Sequence, residues 1–245
     1  DEAYLVQQFA NGDDTYATLA TDIYGYHVTK ETHEGERGVG KVARLGLGYG
    51  MGRVTFQRTL RSGPMGMDPV PCSDDFAAKI VSTYRLKHPR ITQCWKDAQN
   101  FIIKMMRTDC HEVWGCLEVF HQCIKLPNGM FLHFPNLQSV EIQTARGVEY
   151  EIVYDTYSYK TKKMEKRKIY GGKLVENICQ ALAAAIIKDQ MAGIDIRLAK
   201  EHNGAVCLQV HDEIIAIADD TYPDAVMAIM YDVMGTPPSW AIGLP

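Results

Sequence analysis

The 245-residue chain contains 46% hydrophobic and 23% charged residues, a composition typical of a globular protein of one or two domains. It excludes a disordered tail, a coiled coil and a collagen-like fibre, and no apolar run reaches the roughly 18 residues that a membrane span requires. The net charge of −4 says little about partners, because the distribution of charge matters more than its sum. The seven cysteines are scattered rather than dense and paired, which predicts a reducing compartment, the cytoplasm.

Hydrophobic periodicity and turn residues predict helices in the first part of the chain and strands after them. In chain order, the predicted elements are helices at 2–10, 14–23, 34–49, 74–87 and 90–108, short strands within 112–159, a long helix at 173–198, a strand–turn–strand at 205–218 and a final helix at 222–233. Helices, a block of strands and a terminal hairpin in this order predict an α+β fold.

A four-residue repeat lies within the predicted helix at 34–49. Arg37, Lys41, Leu45 and Tyr49 stand four apart, so on a helix they stay near one face over roughly 18 Å. Such a face could hold a triphosphate with its two cations and offer Leu45 and Tyr49 to a base and a sugar. The alternative is an amphipathic helix that faces the core and carries two surface cations. Taken alone, the pattern favours neither interpretation.

A polar triplet, His211, Asp212 and Glu213, interrupts two apolar runs within residues 207–217. This arrangement predicts a tight hairpin with the triplet at or beside its turn. A carboxylate on a rigid hairpin suits Mg²⁺, which prefers oxygen ligands in octahedral geometry. An acidic β-turn without a bound ion is the alternative.

Residues 160–173 form a basic run that contains seven cations and one acid, Glu165. The cations are Lys160, Lys162, Lys163, Lys166, Arg167, Lys168 and Lys173. Taken alone, the run favours a solvated hairpin or loop, and the alternative is a surface that contacts a phosphate backbone.

Together, the helix repeat and the hairpin triplet resemble the polymerase module of the family A DNA polymerases, the bacterial polymerase I group and its phage relatives. The fingers-helix motif of that family appears as Arg37-x3-Lys41-x3-Leu45-x3-Tyr49-Gly50, and its third palm motif as Val210-His211-Asp212-Glu213. Between them, residues 170–187 are similar to the palm helix of phage-type members. Similar phrases at 11–25 and 82–95 extend the resemblance over nearly the whole chain.

The resemblance implies template-directed DNA synthesis, in which a primer 3′-hydroxyl attacks the α-phosphate of a deoxynucleoside triphosphate and pyrophosphate leaves. It implies two Mg²⁺ ions as cofactors, primer-template DNA and deoxynucleoside triphosphates as partners, and no membrane. By the same resemblance, Asp212 is a metal ligand with Glu213 in support, and His211 contacts the primer terminus. Gln180 matches a glutamine of the family that contacts DNA near the primer end.

The resemblance also assigns the nucleotide side of the site. Arg37 and Lys41 would bind the triphosphate and stabilise the charge that builds on it, and Lys41 would protonate the leaving pyrophosphate. Tyr49 would stack in the pocket of the nascent base pair, and Gly50 would let the template pass close. Tyr16 would help to frame the nucleotide.

The right-hand fold of the family divides the chain into two parts. Residues 1–108 would form the fingers, with the nucleotide-binding helix at 34–50. Residues 109–245 would form a palm portion with an antiparallel sheet, and its parts are a basic hairpin at 149–173, the long helix at 173–198 and the catalytic hairpin at 205–218. A phage-encoded protein of this kind would work in the cytoplasm of a bacterial host cell.

Three features depart from the family pattern. The first palm motif, Asp-x-Ser-x-x-Glu, would fall before Asp1, so we expect a piece of a longer protein that is inactive without the upstream polypeptide. Leu45 stands where the family has Phe or Tyr, which predicts altered sugar discrimination. Ala185 occupies a palm-helix position that is commonly acidic, and the sequence does not explain it.

Three alternatives stay open. Single-subunit RNA polymerases share a similar helix motif, but their palm triplet ends His-Asp-Ser, so Glu213 favours the DNA enzymes. A non-catalytic remnant that binds nucleic acid through the basic run at 160–173 is the second alternative. The third is a zinc module with irregular ligand spacing. Its ligands would come from Cys110, His111, Cys116, His121 and Cys123.

Overall fold

Helices fill the first part of the chain and strands the middle in the computed structural model, which describes residues 2–145 and 147–241. The helices are α1 (Ala3–Asn11), α2 (Thr15–Tyr24), α3 (Glu34–Leu47), α4 (Arg53–Arg61), α5 (Asp74–Lys87), α6 (Pro89–Met105), α7 (Gly171–Glu201) and α8 (Pro223–Gly235), with 3-10 turns at Pro64–Gly66 and Ser239–Ala241. The strands are β1 (His111–Trp114), β2 (Leu117–Phe120), β3 (Cys123–Lys125), β4 (Phe131–His133), β5 (Gln138–Thr144), β6 (Gly147–Ser158), β7 (Lys163–Lys168), β8 (Ala205–Val210) and β9 (Glu213–Ile217). This mixture confirms the predicted α+β class. Asp1, Arg146 and residues 242–245 of the predicted domains lie outside the described residues.

Several element bounds differ from the sequence prediction. The predicted helix at 34–49 ends at Leu47, because Gly50 takes a φ of 79°, a conformation that suits glycine and ends a helix. Tyr49 therefore lies in a turn and not on the helix. Helix α4 was not predicted, since its sequence is strongly polar and buries only Phe56 and Leu60, one turn apart. Helix α7 starts at Gly171 and continues to Glu201.

The chain forms two compact units. Unit 1 comprises residues 1–112, 119–124 and 133–177, and unit 2 comprises residues 113–118, 125–132 and 178–245. The helical core of unit 1 buries apolar side chains of α2, α3, α4 and α5. Its largest members include Leu19, Ile23, Leu47, Phe56, Leu60, Ile80 and Tyr84.

A glycine sets the distance between α2 and α3 in unit 1. A Cβ on Gly40 would lie 2.2 Å from the carbonyl oxygen of Tyr16 and 3.1 Å from the Cβ of Ala20. Because only a hydrogen occupies this position, the two helices approach closely. This approach places Tyr16 beside the outer face of α3.

The strands form three sheets among the described residues. A four-stranded sheet has the order β1-β2-β3-β4, and a three-stranded antiparallel sheet has the order β5-β6-β7. Strands β6 and β7 form a long hairpin that pairs Val153 with Lys168 at one end and Ser158 with Lys163 at the other. The basic hairpin predicted at 149–173 overlaps it, but the observed hairpin begins at Gly147 and ends at Lys168, and α7 starts at Gly171.

In unit 2, the two-stranded sheet β8–β9 packs on the helices α7 and α8. Ile194 and Leu198 of α7 and Ile229 of α8 are buried, and Val206, Ile214 and Ala216 of the hairpin pack against them. Since side chains alternate along a strand, the opposite face of the hairpin points away from this core. Among the described residues, no helix is long and apolar enough to cross a bilayer.

Candidate active site

Arg37 of α3 is held by two residues of the α2 region. Its Nε donates to Oδ2 of Asp14 across 2.5 Å, and its Cζ lies 5.3 Å from the centre of the Tyr16 ring. Asp14 also caps α2, because Oδ1 accepts from the backbone amides of Tyr16 at 3.0 Å and Ala17 at 3.1 Å. Two residues predicted to bind the nucleotide, Tyr16 and Arg37, are thus in contact, and Asp14 orients both.

The environment of Asp14 favours its carboxylate form. Burial alone would raise the pKa of Asp14, but the hydrogen bonds from Arg37 and the amides of Ala17 and Tyr16, with the charge of Arg37, lower it overall. From the sequence, Asp14 is expected only at the start of the helix predicted at 14–23. No sequence signal links it to Arg37, which lies 23 residues further along the chain.

Lys41 and Leu45 follow Arg37 on the outward side of α3. Lys41 is partly exposed, and its ammonium makes no hydrogen bond or ion pair with residues 2–145 or 147–241. Leu45 is 39% exposed. The opposite face of α3 buries Val39 and Val42, so the helix is amphipathic and keeps its predicted ligand-binding residues on the side away from the core.

A buried polar network supports α3 from the core side. Nη1 of Arg44 lies 2.5 Å from Nε2 of His88, and Nη2 donates to the carbonyl of Thr15 at 2.9 Å. The other ring nitrogen of His88, Nδ1, lies 2.8 Å from the carbonyl of Tyr84. Because arginine has only donors and a carbonyl only accepts, His88 is neutral, with its proton on Nδ1. No local pattern in the sequence indicates this network.

Burial also sets the protonation behaviour of this network. Burial is the largest cause of the lowered pKa of Arg44 and of the lowered pKa of His88. The charge of Arg44 lowers the pKa of His88 further. The imidazole is fully buried and stacks on Tyr84 with ring centres 4.4 Å apart. The network therefore ties α3 to the start of α2 and to the end of α5.

Close backbone contacts within unit 1 fix the turn after α3. Nε1 of Trp95 donates to the carbonyl of Gly48 at 2.9 Å. A Cβ on Gly172, at the start of α7, would lie 2.2 Å from the carbonyl oxygen of Tyr49. Glycine is therefore required at Gly172 if α7 is to begin against this turn.

This turn borders a cleft of about 780 Å³. Among the residues that line the cleft are Leu45, Tyr49, Gly50, Thr55, Lys168, Tyr170 and Glu176. The structure therefore brings together three of the predicted nucleotide and template residues, although Tyr49 is in a turn. The cleft offers apolar surface for a base and hydroxyls and charges at its edges.

His211 and Asp212 form the two-residue turn between β8 and β9, because Val210 pairs directly with Glu213. The φ of His211 is 55°, in the left-handed region that non-glycine residues rarely adopt. Nε2 of Gln209 donates to the carbonyl of His211 at 2.7 Å and holds this turn. The triplet thus lies at and beside the turn of a hairpin, where the sequence predicts it, and all three residues are exposed.

Two predicted features lie on α7. Gln180 is exposed, so its amide is available to a partner. Ala185 is only 2% exposed. A carboxylate at the position of Ala185 would be desolvated, which accounts for a small apolar residue in this structure.

The described residues contain no group of three or more His, Cys, Asp or Glu side chains that could hold a metal ion. Asp212 and its neighbour Glu213 do not by themselves provide the oxygen ligands of a two-magnesium site. The zinc alternative is not supported either, because its proposed ligands do not form such a group among the described residues. These ligands are Cys110, His111, Cys116, His121 and Cys123.

Comparison with solved structures shows which fold the chain has. The chain superposes on the POL domain of Pol1 from M. smegmatis in complex with DNA primer-template and dNTP, with a TM-score of 0.63 over 95% of this chain and 33% of that one. The two share 16% sequence identity, so this likeness shows the fold of a family A polymerase domain.

Sequence comparison adds a particular relative. The chain is homologous to the DNA polymerase of Bacillus phage SP02, with 29% identity over 220 residues. The match covers 84% of this chain and 30% of the phage polymerase, so the chain spans about a third of that relative. No family model matches the sequence.

Proposed function

We propose that the chain forms the fingers, residues 1–108, and part of the palm, residues 109–245, of a template-directed DNA polymerase. The complete enzyme would add deoxynucleotides to a primer 3′-hydroxyl and release pyrophosphate, in the cytoplasm of a phage-infected bacterium. One observation carries this proposal most directly. Arg37 is held by Asp14 and Tyr16 on the same face of α3 that presents Lys41, whose cation has no partner within residues 2–145 and 147–241.

Arg37 and Lys41 would bind the triphosphate of the incoming nucleotide. Their charges lie on a rigid helix, so they can stabilise the negative charge that develops on the leaving pyrophosphate without reorganising. The ammonium of Lys41 would also donate a proton to that pyrophosphate. Tyr16, in contact with Arg37, would limit the position of the nucleotide.

The base and sugar would occupy the cleft beside the turn after α3. Tyr49 offers an aromatic ring on which a base can stack, and Leu45 offers an apolar contact to the sugar. Gly50 has no side chain to obstruct a template base. This assignment rests on the observation that all three residues line the same cleft.

On the primer side, His211 would contact the primer terminus and Gln180 the DNA near it. Mg²⁺ ions supply charge stabilisation in polymerase active sites, and Asp212 is the ligand that this chain would contribute, with Glu213 in support. Since the described residues offer no further carboxylate cluster, we propose that the chain alone is inactive. A polypeptide with the first palm motif would supply the missing aspartate.

The exposed apolar side chains on the outer face of the β8–β9 hairpin are evidence for such a partner polypeptide. Leu208, Val210, Ile215 and Ile217 are 52%, 43%, 44% and 64% exposed on that face. A contiguous apolar face on a two-stranded sheet is unfavourable in water, because the sheet needs further packing for stability. A further strand or helix against this face would complete the palm.

Primer extension tests the proposal. The chain alone should give no extension, and a polypeptide extended upstream through the first palm motif should extend a primer in the presence of Mg²⁺. In that polypeptide, Asp212→Asn should abolish incorporation and leave DNA binding largely intact, whereas Asp220→Asn, at an exposed aspartate nearby, should keep activity. Retained incorporation by the Asp212 variant would refute the assigned role.

The same assay separates DNA synthesis from the RNA polymerase alternative. The relative is a DNA polymerase, and Glu213 is typical of the DNA enzymes. We therefore expect incorporation of deoxynucleotides in preference to ribonucleotides. A preference for ribonucleotides would favour the alternative.

A further inference from the structure

The tip of the β6–β7 hairpin presents two exposed tyrosines. Tyr159 is 88% exposed and Tyr157 is 47% exposed, and their rings meet edge to face with centres 5.3 Å apart. Two aromatic rings in contact on the surface form an exposed apolar patch, which is more informative than a single exposed apolar residue. These rings are available to a ligand, because each has a face that the partner ring does not cover.

Three cations lie in the same segment as the two rings. The turn after β6 carries Lys160 and Lys162, and Lys163 opens β7. All three side chains are exposed, and none forms an ion pair with residues 2–145 or 147–241. The acid of this segment, Glu165, accepts a hydrogen bond from the hydroxyl of Thr161.

Two cations near the end of the basic run are paired. Lys168 pairs with Glu151, and Lys173 pairs with Glu176 at 2.8 Å. Among the described residues, the other five cations of the run at 160–173 form no ion pair, so the unpaired charge extends from the tip along β7 to Arg167. In a chain of net charge −4, this is a local positive surface joined to an aromatic one.

We infer that the tip of the β6–β7 hairpin, residues Tyr157 to Lys163, is a binding site for single-stranded DNA. The tyrosines stack on unpaired bases and the three lysines contact the phosphates on either side. A duplex does not fit these groups as well, because the faces of paired bases are covered by their neighbours. None of the residues from Tyr157 to Lys163 lines the cleft beside α3.

Equilibrium binding of oligonucleotides to the full chain tests this site without nucleotide or Mg²⁺. The probes are a fluorescein-labelled dT20 and a 20-base-pair duplex, followed by anisotropy at several salt concentrations. We expect dT20 to bind more tightly than the duplex. The triple variant K160Q/K162Q/K163Q should bind dT20 at least tenfold more weakly, and its slope of log K against log salt should be shallower by about 2.

A matched control separates a site from net charge. The triple variant K79Q/K188Q/K200Q removes the same charge from exposed lysines elsewhere, and its affinity for dT20 should stay within twofold of the unaltered chain. Equal losses in the two triple variants would overturn the proposal, since they would show only a general effect of charge.

The tyrosines distinguish stacking from phosphate contact. Tyr159→Ala should weaken dT20 binding several-fold without changing the salt slope, and Tyr159→Phe should restore it, because phenylalanine keeps the ring. An unchanged affinity for Tyr159→Ala, or preference for the duplex, would refute single-strand recognition. The assay contains neither nucleotide nor Mg²⁺, so its outcome does not depend on the role proposed for α3.

Discussion

Arg37 donates its Nε hydrogen bond to Asp14 across 2.5 Å, so the cation proposed to bind the triphosphate is held by the carboxylate that caps α2. The side chains of both residues are only partly exposed, at 24% and 32%. Because one carboxylate serves the cap and the cation, changes at Asp14 should separate a structural effect from a functional one.

Two substitutions at Asp14 make this separation. Asp14→Asn keeps an N-cap oxygen but removes the charge, so it should leave the free energy of unfolding nearly unchanged and raise the KM for dNTP several-fold in the extended polymerase. Asp14→Ala should also lower the free energy of unfolding, by about 1 kcal/mol, because the cap is lost. Denaturation and steady-state incorporation measure the two effects.

The neighbouring carboxylate provides the control. Asp13 is exposed and is not among the partners of Arg37, so Asp13→Asn should change neither the KM nor the stability by a measurable amount. If Asp14→Asn leaves the KM for dNTP unchanged, Asp14 does not orient Arg37 for the nucleotide.

Local patterns in the sequence predicted much of the fold. The four-residue spacing of Leu174, Ile178 and Leu182 predicted α7, and the polar triplet between apolar runs predicted the β8–β9 turn at His211 and Asp212. Both signals are local, since they depend on periodicity within one element. Helix α4 lacked such a signal because only two of its residues, Phe56 and Leu60, are buried.

Contacts between elements could not be predicted from these patterns. The bond between Arg44 and His88 joins residues 44 positions apart, and it exists only because α3 and α5 pack together. Similarly, the position of Tyr49 depends on Gly172, more than a hundred residues later. The family motif predicted which residues of α3 face the nucleotide. The contacts of Asp14 and Tyr16 with Arg37 depend on tertiary packing and could not be predicted from the motif.

The buried His88 should make stability depend on pH. Its pKa is lowered from the ordinary value of 6.5, mainly by burial and also by Arg44, against the opposing effect of the Tyr84 carbonyl, Glu2 and Asp22. Below pH 6.5, His88 binds a proton in the unfolded chain but not in the folded chain. The stabilisation is therefore complete above pH 6.5 and decreases as the pH falls below it.

Denaturation curves at pH 7.5 and 5.5 measure this dependence. His88→Asn removes the titrating ring but keeps a side-chain donor near the Tyr84 carbonyl, so its loss of stability between the two pH values should be smaller. The exposed His27, changed to Asn, is the control and should keep the full dependence of the unaltered chain. Equal dependence in all three proteins would contradict the assignment to His88.

Gly40 should be far less tolerant of alanine than another glycine of the same helix. A Cβ at Gly40 would overlap the carbonyl of Tyr16, so Gly40→Ala should lower the free energy of unfolding by about 1–3 kcal/mol and disturb the contact of Tyr16 with Arg37. A Cβ at Gly35 would meet no atom within 4 Å, so Gly35→Ala should stabilise the chain by up to about 1 kcal/mol. Thermal or chemical denaturation distinguishes them, and similar effects would show that α2 and α3 are not this close.

Leu45 should influence which sugar the enzyme accepts, because it lines the cleft beside Tyr49 and is 39% exposed. Leu45→Phe adds a ring on the open side of α3 and should leave the core and the free energy of unfolding unchanged. In the extended polymerase it should change the ratio of dideoxynucleotide to deoxynucleotide incorporation several-fold. The control is Leu86→Phe on α5, where the leucine is 80% exposed and the ratio should not change. An unchanged ratio for Leu45→Phe, with stability intact, would place the sugar away from Leu45 and would move the proposed nucleotide position along α3 towards Lys41.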